Sequence, residues 1–392
     1  MKILCVNAGS SSLKFALYEM PEKKKLANGT FEKIGLEGSF YSVTKDEEKI
    51  VKQADMPTHK QAVEILLREL VELKIVSNIS EIEGIGHRIV HGGDKYNKSC
   101  LVDDKVLNDI KDLSELAPLH NPAHYTAIKC VMEALPNVKN VVVFDTAFHQ
   151  TMPEASYLYA VPSEWYKEYK VRKYGFHGTS HKYISKRISE ILDKKDLKII
   201  SCHLGNGASI CAVKDGKCID TSMGFTPAAG LIMGSRAGDI DVSFLPYVMK
   251  KTGEDINQIA NTLNKKSGLL AISELSSDFR DIVNGRSEGN EKCALAIEMF
   301  ARRVVMYISY YNTLLGGADV ICFAGGIGEN SIEAREAIME KLYPLGITFN
   351  NDKNNTRGQE IEISGSSSKI RCFVVPTNEE LMIVEDTYSL IN

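Results

Sequence analysis

Residues 3–18 read Ile-Leu-Cys-Val-Asn-Ala-Gly-Ser-Ser-Ser-Leu-Lys-Phe-Ala-Leu-Tyr. An apolar run from Ile3 to Val6 meets a loop of small polar residues, Asn7 to Ser12. A second apolar run then resumes from Leu13 to Tyr18, broken only by Lys14. That order predicts strand, tight turn, strand. No bulky side chain guards the loop, so its backbone N–H groups and the hydroxyls of Ser10, Ser11 and Ser12 can approach an anion closely. Lys14 adds a positive charge at the mouth, and Asn7 ends the first strand with a neutral oxygen donor. Taken by itself the loop reads equally as a phosphate grip or as an ordinary Gly/Ser hairpin turn. It is not the GxxxxGK[ST] loop, which a helix rather than a strand must follow.

The same device returns further along. Ile199 to Cys202 reads as a strand, His203-Leu204-Gly205-Asn206-Gly207-Ala208-Ser209 as a small-residue loop, and Ile210 to Val213 as another strand, with Asp215-Gly216 as a hairpin turn. Asp319 to Phe323 is a strand leading into the turn Ala324-Gly325-Gly326-Ile327-Gly328-Glu329-Asn330. Ser331 to Leu342 is then a helix whose N-terminus is a ready anion site. Each loop is a weak signal; together they suggest a nucleotide held from several sides by a duplicated α/β architecture. A nicotinamide fingerprint at Gly325–Gly328 fails on position, since it belongs in the first βαβ unit.

At 392 residues the natural expectation is two domains, and 44% apolar with 25% charged residues is ordinary globular composition. The 47 Lys and Arg against 51 Asp and Glu leave a net charge of −4, so no basic surface argues for nucleic acid or an anionic membrane. Neither a secretory apolar run nor a membrane-length window is expected, and nine scattered cysteines without a CxxC pair suit reduced thiols. The expected compartment is the cytoplasm.

Between the loops the α/β rhythm is regular. Val63, Leu66, Leu67, Leu70 and Leu73 mark an amphipathic helix over 59–74, Ile82 to Val90 a buried segment, and 105–117 a second helix stopped by Pro118. Asn121 before Pro122 predicts the N-cap of a third. The apolar strand Val141–Phe144 ends in Asp145. Residues 152–161 read as the crossing between domains, and Thr179 or Ser180 as the cap of a helix carrying Ile184, Ile188 and Ile191. Residues 291–315 form a long, largely apolar helix, residues 350–358 a polar surface loop, and Thr377 with Glu380 a capping box for the final helix.

Arg88 and Arg236 sit among small residues, His and Asp rather than on solvated helix faces, which favours anion binding. Asp145 ends a buried strand, so its carboxylate emerges where ligands bind in such folds; the alternative is a cap for the next segment. His177 and His203 precede small-residue turns. Glu379 falls in a helix's first turn, where the dipole alone favours an acid.

The stretches 7–15, His87-Arg88-Ile89-Val90-His91-Gly92-Gly93, Phe144-Asp145-Thr146-Ala147-Phe148-His149, Tyr174-Gly175-Phe176-His177-Gly178-Thr179-Ser180-His181, 203–207, Met233-Gly234-Ser235-Arg236, 325–330 and Thr377-Asn378-Glu379-Glu380 together resemble the acetate/propionate/butyrate kinase family of the sugar kinase–Hsp70–actin superfamily. The resemblance covers essentially the whole chain. It implies two duplicated actin/Hsp70-like (ribonuclease H-like) domains flanking a nucleotide cleft. Residues 1–150 would form the acyl and phosphate side and residues 151–379 the ATP side with a dimer interface, the helix at about 380–392 packing back on the first. The activity implied is reversible in-line phosphoryl transfer from ATP to acetate, with propionate as the alternative acceptor and a nucleotide-gated binding protein as the alternative of another class.

By the same resemblance Asn7 and Glu379 lie near Mg²⁺, or Mn²⁺ in its place. Ser10, Ser12, Lys14, His203, Leu204, Gly205, Asn206, Gly207, Asp278, Phe279, Arg280, Gly326, Ile327, Gly328, Glu329 and Asn330 handle ATP. Arg88 takes the substrate carboxylate, Asp145 matches the residue assigned to proton transfer, and His177 and Arg236 match the transition-state stabilisers. Val90, Leu119, Phe176 and Pro227 match the wall of the acyl pocket. The chain departs from the family pattern at Ala228-Ala229, where bulk is lost beside Pro227, and at Ala237 after Arg236. A homodimer is also implied.

Overall fold

In the computed structural model, which describes residues 1–118 and 120–392, the opening stretch folds as strand β1 (Lys2–Ala8) and strand β2 (Ser12–Glu19). They pair antiparallel with Asn7 opposite Lys14. Gly9 N–H donates to the Ser12 carbonyl at 2.7 Å, and a Cβ on Gly9 would stand 2.7 Å from Ser12 Oγ, so the turn closes this tightly only around glycine.

Strands β3 (Lys24–Glu32), β4 (Phe40–Lys45), β5 (Glu48–Gln53), β6 (Ile82–Ile89), β7 (Cys100–Leu101) and β8 (Lys139–Phe144) complete an eight-stranded sheet of order β5-β4-β3-β2-β1-β6-β8-β7. A second sheet has the order β11-β10-β9-β12-β14-β13, from β9 (Lys198–Leu204), β10 (Ala208–Lys214), β11 (Lys217–Thr221), β12 (Val320–Ala324), β13 (Ile361–Glu362) and β14 (Arg371–Val374). The two share one plan. β1 and β9 are each antiparallel to the strand that follows them and parallel to β6 and β12 respectively, which are in turn parallel to β8 and β14. The duplication suggested by the two strand–loop–strand units is therefore present in the topology.

The chain forms two compact units, residues 1–148 with 378–392, and residues 149–377. In the first, side chains alternate across β1 and β2 and both faces are buried. Leu4, Val6, Leu13, Phe15 and Leu17 pack under the helix His59–Glu72, while Ile3, Cys5, Ala16 and Tyr18 pack against the final helix, Glu379–Ile391. That helix lies directly on β6 because Gly84 and Gly86 make room for it. A Cβ at Gly84 would meet Ile391 at 2.4 Å, and one at Gly86 would meet Thr387 at 2.4 Å and Ile383 at 2.6 Å.

Several local expectations are corrected. Asn121 is not the cap of its helix, which starts one residue earlier from His120. Its buried amide is spent on the His91 backbone, accepting from N–H and donating to the carbonyl at 3.1 Å. The helix Gly178–Leu192 starts from His177, so neither Thr179 nor Ser180 caps it. The final helix is capped by Asn378, which accepts from Leu381 N–H at 3.0 Å; no Thr377–Glu380 capping box forms. Residues Gly325–Asn330 are a short helix rather than a turn. The stretch 350–358 is not simply surface loop, because Arg335, fully buried, donates to Asn354 Oδ1 and to the carbonyls of Gly328, Asn354 and Thr356 at 2.7–2.8 Å. A buried guanidinium survives where its donors are met in this way.

Candidate active site

β1, β6 and β8 run parallel and end at one edge of the first sheet, with Val6 in register with His87 and Arg88 with Val143. Asn7, Arg88 and Asp145 therefore emerge side by side. Arg88 donates from Nε to one oxygen of Asp145 at 3.0 Å and from Nη2 to the other at 2.5 Å. This two-pronged contact fixes the guanidinium plane. Glu379, at the start of the final helix, lies 3.8 Å from Arg88 Nε. Burial works against the charge on Arg88, yet Asp145 and Glu379 hold its pKa well above the ordinary arginine value. Burial pushes the Glu379 carboxyl up; Arg88 pulls it back, while Asp145 and Glu380 push it further and Lys14 opposes them. Two carboxylates crowd one guanidinium, and a third, Glu380, acts on Glu379. With Asn7 beside them, the surplus negative charge and all-oxygen donor set fit a hard divalent cation such as Mg²⁺ or Mn²⁺. Val90 is buried two residues beyond Arg88. Leu119, expected with Val90, lies outside the described residues.

In the second unit His177 has φ +57°, a left-handed conformation that turns the chain into the helix behind it. Its Nδ1 is 2.9 Å from Ser209 Oγ, which is also 2.8 Å from His181 Nε2, and His181 Nδ1 is 2.8 Å from Ser201 Oγ. Burial drives the His181 pKa well below its ordinary value, so this ring is neutral. His177 stacks on His203 with centroids 4.3 Å apart, and Ser180 Oγ holds His203 Nδ1 at 2.7 Å. Phe176 is buried.

Arg236 donates through Nη1 to the Pro227 carbonyl at 3.1 Å, and burial lowers its pKa. Among the described residues no carboxylate forms an ion pair with it. A Cβ on Gly207 would come within 3.5 Å of the His177 ring and 3.7 Å of Arg236 Nη1. The imidazole of His177 and the guanidinium of Arg236 therefore face one patch of bare backbone. A partly buried guanidinium without a counter-ion, beside a histidine and a glycine, is suited to receive an anion.

The same unit carries a cavity of about 640 Å³ lined by Gly205, Asn206, Asp278, Phe279, Arg280, Gly326, Ile327 and Asn330, all expected on the nucleotide side. Its size suits a nucleoside. Asp278 caps the helix Phe279–Ser287 and grips Arg280. His203, Leu204, Gly207, Gly328 and Glu329 do not line it, and Ser10, Ser12 and Lys14 belong to the hairpin of the first unit. Glu329 has another task, accepting from Gly325 N–H at 2.8 Å and Thr377 N–H at 2.9 Å.

Sequence reasoning missed Ser277, Val283, Asn284, Ser331, Glu333 and Arg357 in the cavity wall, and His181 behind His177. Val283 and Asn284 were findable, lying one helical turn after Phe279 and Arg280. Arg357 arrives from a distant segment and left no local signal.

A guanidinium steadied by a carboxylate, a second guanidinium over bare glycine and a nucleoside-sized cavity are the working parts of a phosphotransferase. The profile of the acetokinase family matches residues 2–385. The chain is 52% identical over 391 residues to the acetate kinase of Bacillus subtilis (strain 168), covering 99% of each. Among solved structures it superposes on the acetate kinase of Porphyromonas gingivalis with a TM-score of 0.96 at 44% identity, covering 100% of both chains. It superposes on a propionate kinase of Francisella tularensis with a TM-score of 0.94 at 42% identity, covering 99% of both. The chain belongs to the acetokinase family.

Proposed function

We propose that the chain catalyses reversible transfer of the terminal phosphoryl group of ATP to acetate, giving acetyl phosphate and ADP. The observation that carries the reading is the Arg88–Asp145 pair. Acetate, with a carboxylate pKa of about 4, is already ionised at neutral pH and needs no base. What it needs is shelter from the charge of the triphosphate. With its Nε edge held by Asp145, Arg88 offers its remaining N–H groups to the acetate carboxylate, so Asp145 acts as a positioning residue. Arg236 and His177 receive the charge on the moving phosphoryl group. Val90, buried near Arg88, is the acyl-side residue of the first unit and favours the smaller acid, and Phe176 and Pro227 are the acyl-side residues of the second. The first unit thus supplies Arg88 for the acyl carboxylate, together with Ser10, Ser12 and Lys14 on the phosphates. The second supplies the nucleoside side, through the cavity residues and the strand ends at His203–Gly207 and Gly326–Asn330.

Mg²⁺ or Mn²⁺, held by Asn7 and Glu379, would supply charge neutralisation on the phosphates. Along the helix Glu291–Leu314, Leu295, Met299, Met306, Tyr310 and Leu314 are exposed large apolar side chains at helical spacing. Such a stripe supports a homodimer. No described helix is long and apolar enough to cross a membrane. The nine cysteines, all free thiols, support a cytoplasmic enzyme.

The test is initial-rate trapping of acyl phosphate with hydroxylamine in the presence of ATP and Mg²⁺, with acetate, propionate and butyrate in parallel. Acetyl hydroxamate formed fastest is the expected result. Faster reaction with propionate would make that acid the substrate, and ATP-dependent binding without any hydroxamate would remove the enzymatic reading.

A further inference from the structure

His149, Cys211 and Cys218 lie together in the core of the second unit, each with no exposed surface. The two cysteines belong to the hairpin β10–β11, and His149 enters from the segment after Asp145. His149 Nδ1 lies 3.2 Å from Cys218 Sγ and 4.0 Å from Cys211 Sγ, and the two sulfurs are 3.4 Å apart. A triangle with these sides has all three corners about 2.1 Å from one interior point, close to the roughly 2.0–2.3 Å of metal–imidazole and metal–thiolate bonds.

The ring is set for ligation. His149 Nε2 is 2.8 Å from the Phe176 carbonyl, which can only accept, so the proton sits on Nε2 and the Nδ1 lone pair points at the sulfurs. Metal-binding histidines are oriented in just this manner, by donating their other N–H to a carbonyl. The position is enforced from behind, since a Cβ at Gly175 would stand 2.8 Å from the His149 ring.

We propose that His149, Cys211 and Cys218 form a trigonal site for a thiophilic d¹⁰ cation. Binding exchanges two thiol protons for two metal–sulfur bonds and one metal–nitrogen bond, with no change of oxidation state. Soft sulfur donors select Zn(II) or Cu(I) over the hard Mg²⁺. Charge balance with two thiolates in a dry core favours Zn(II), whereas threefold coordination favours Cu(I). Within the second unit the site adjoins His177 through the Phe176 carbonyl, and the His149 ring meets the His181 ring edge-on with centroids 5.7 Å apart.

The experiment expresses the full chain in medium supplemented with Zn(II) or with copper, purifies it under reductant without chelator, and measures metal per chain. The purified protein is also titrated with Zn(II) against a chromophoric chelator and with Cu(I) against bathocuproine disulfonate. About one equivalent of one ion is expected, with thiolate-to-metal absorption for Cu(I) and a raised melting temperature. Cys211→Ser and Cys218→Ser should each weaken binding by at least about tenfold, while Cys130→Ser, in the other unit, should bind like the parent. Circular dichroism verifies that each variant is folded, and Cys211→Ala and Cys218→Ala serve if a serine variant is not. Equal binding in parent and cysteine variants, no binding of either ion, or a Cys211–Cys218 disulfide in protein purified without reductant would overturn the proposal.

Discussion

Asp145→Asn separates a positioning carboxylate from a catalytic base. An asparagine keeps the shape of Asp145 but turns an amide NH₂ toward one of the two guanidinium N–H groups that the carboxylate now accepts at 3.0 and 2.5 Å. One charge-assisted hydrogen bond is lost, a change of about 1.5–3 kcal/mol. The remaining anion near Arg88 is Glu379 at 3.8 Å, and the guanidinium is drawn toward it. A shift on the order of 1 Å in a substrate-holding group costs roughly 10²-fold in rate, or about 2.7 kcal/mol, within the range set by the lost bond. We therefore expect kcat/KM for acetate to fall roughly 10²-fold, with the shape of the pH profile unchanged. The assay is hydroxamate trapping at saturating ATP and Mg²⁺, over acetate concentration and across the neutral pH range. A profile that loses its acid limb while keeping a high plateau would make Asp145 a base. Activity within a few-fold of the parent would refute the positioning argument.

Gly86→Ala should lift the final helix, because the new methyl meets buried Thr387 and Ile383 at 2.4 and 2.6 Å. A destabilisation of about 1–3 kcal/mol in urea unfolding is expected, together with a loss of activity as Glu379 moves. Arg335→Met strips hydrogen bonds from three buried carbonyls and the Asn354 amide. At about 1–3 kcal/mol for each stranded group, unfolding stability should drop by several kcal/mol; a loss under about 1 kcal/mol would show that the segment relaxes. Arg236→Ala should reduce kcat far more than it raises the KM for either substrate, and equal losses in both would remove the residue from transition-state stabilisation. Burial lowers the pKa values of His87 and His91 to about 4 and of His124 to about 3. The unfolded chain takes up these protons from about pH 6.5 downward while the folded chain resists. Stability is therefore full above that pH and falls as pH drops toward about 4, mainly through the first unit. His87→Gln should flatten the slope of the urea midpoint against pH in that window.

The sequence carried whatever depends on neighbours along the chain. The run Ile3 to Val6, the small loop and the run to Tyr18 can form little other than a hairpin, and the repeat at 199–213 declared the second sheet by the same means. The glycines at 205 and 326 marked the cavity wall, because an approach of ligand to backbone demands small residues, whereas Asp278, Phe279 and Arg280 came from the family resemblance and their helix start was not read. Helix starts were misread at Asn121, Thr179 and Thr377, where each side chain has a tertiary setting that local spacing does not reveal.

Only the folded chain decided which charges meet. Arg88, Asp145 and Glu379 are separated by 57 and 234 residues from one to the next, and parallel strand ends with a helix laid over Gly84 and Gly86 bring them together. Cys211 and Cys218 were scattered thiols until a hairpin and the ring of His149 placed them within 4.0 Å. Backbone propensity acts over a few residues and is written in order along the chain. Charge compensation and ligand geometry act through space, and they exist only after the sheets have paired.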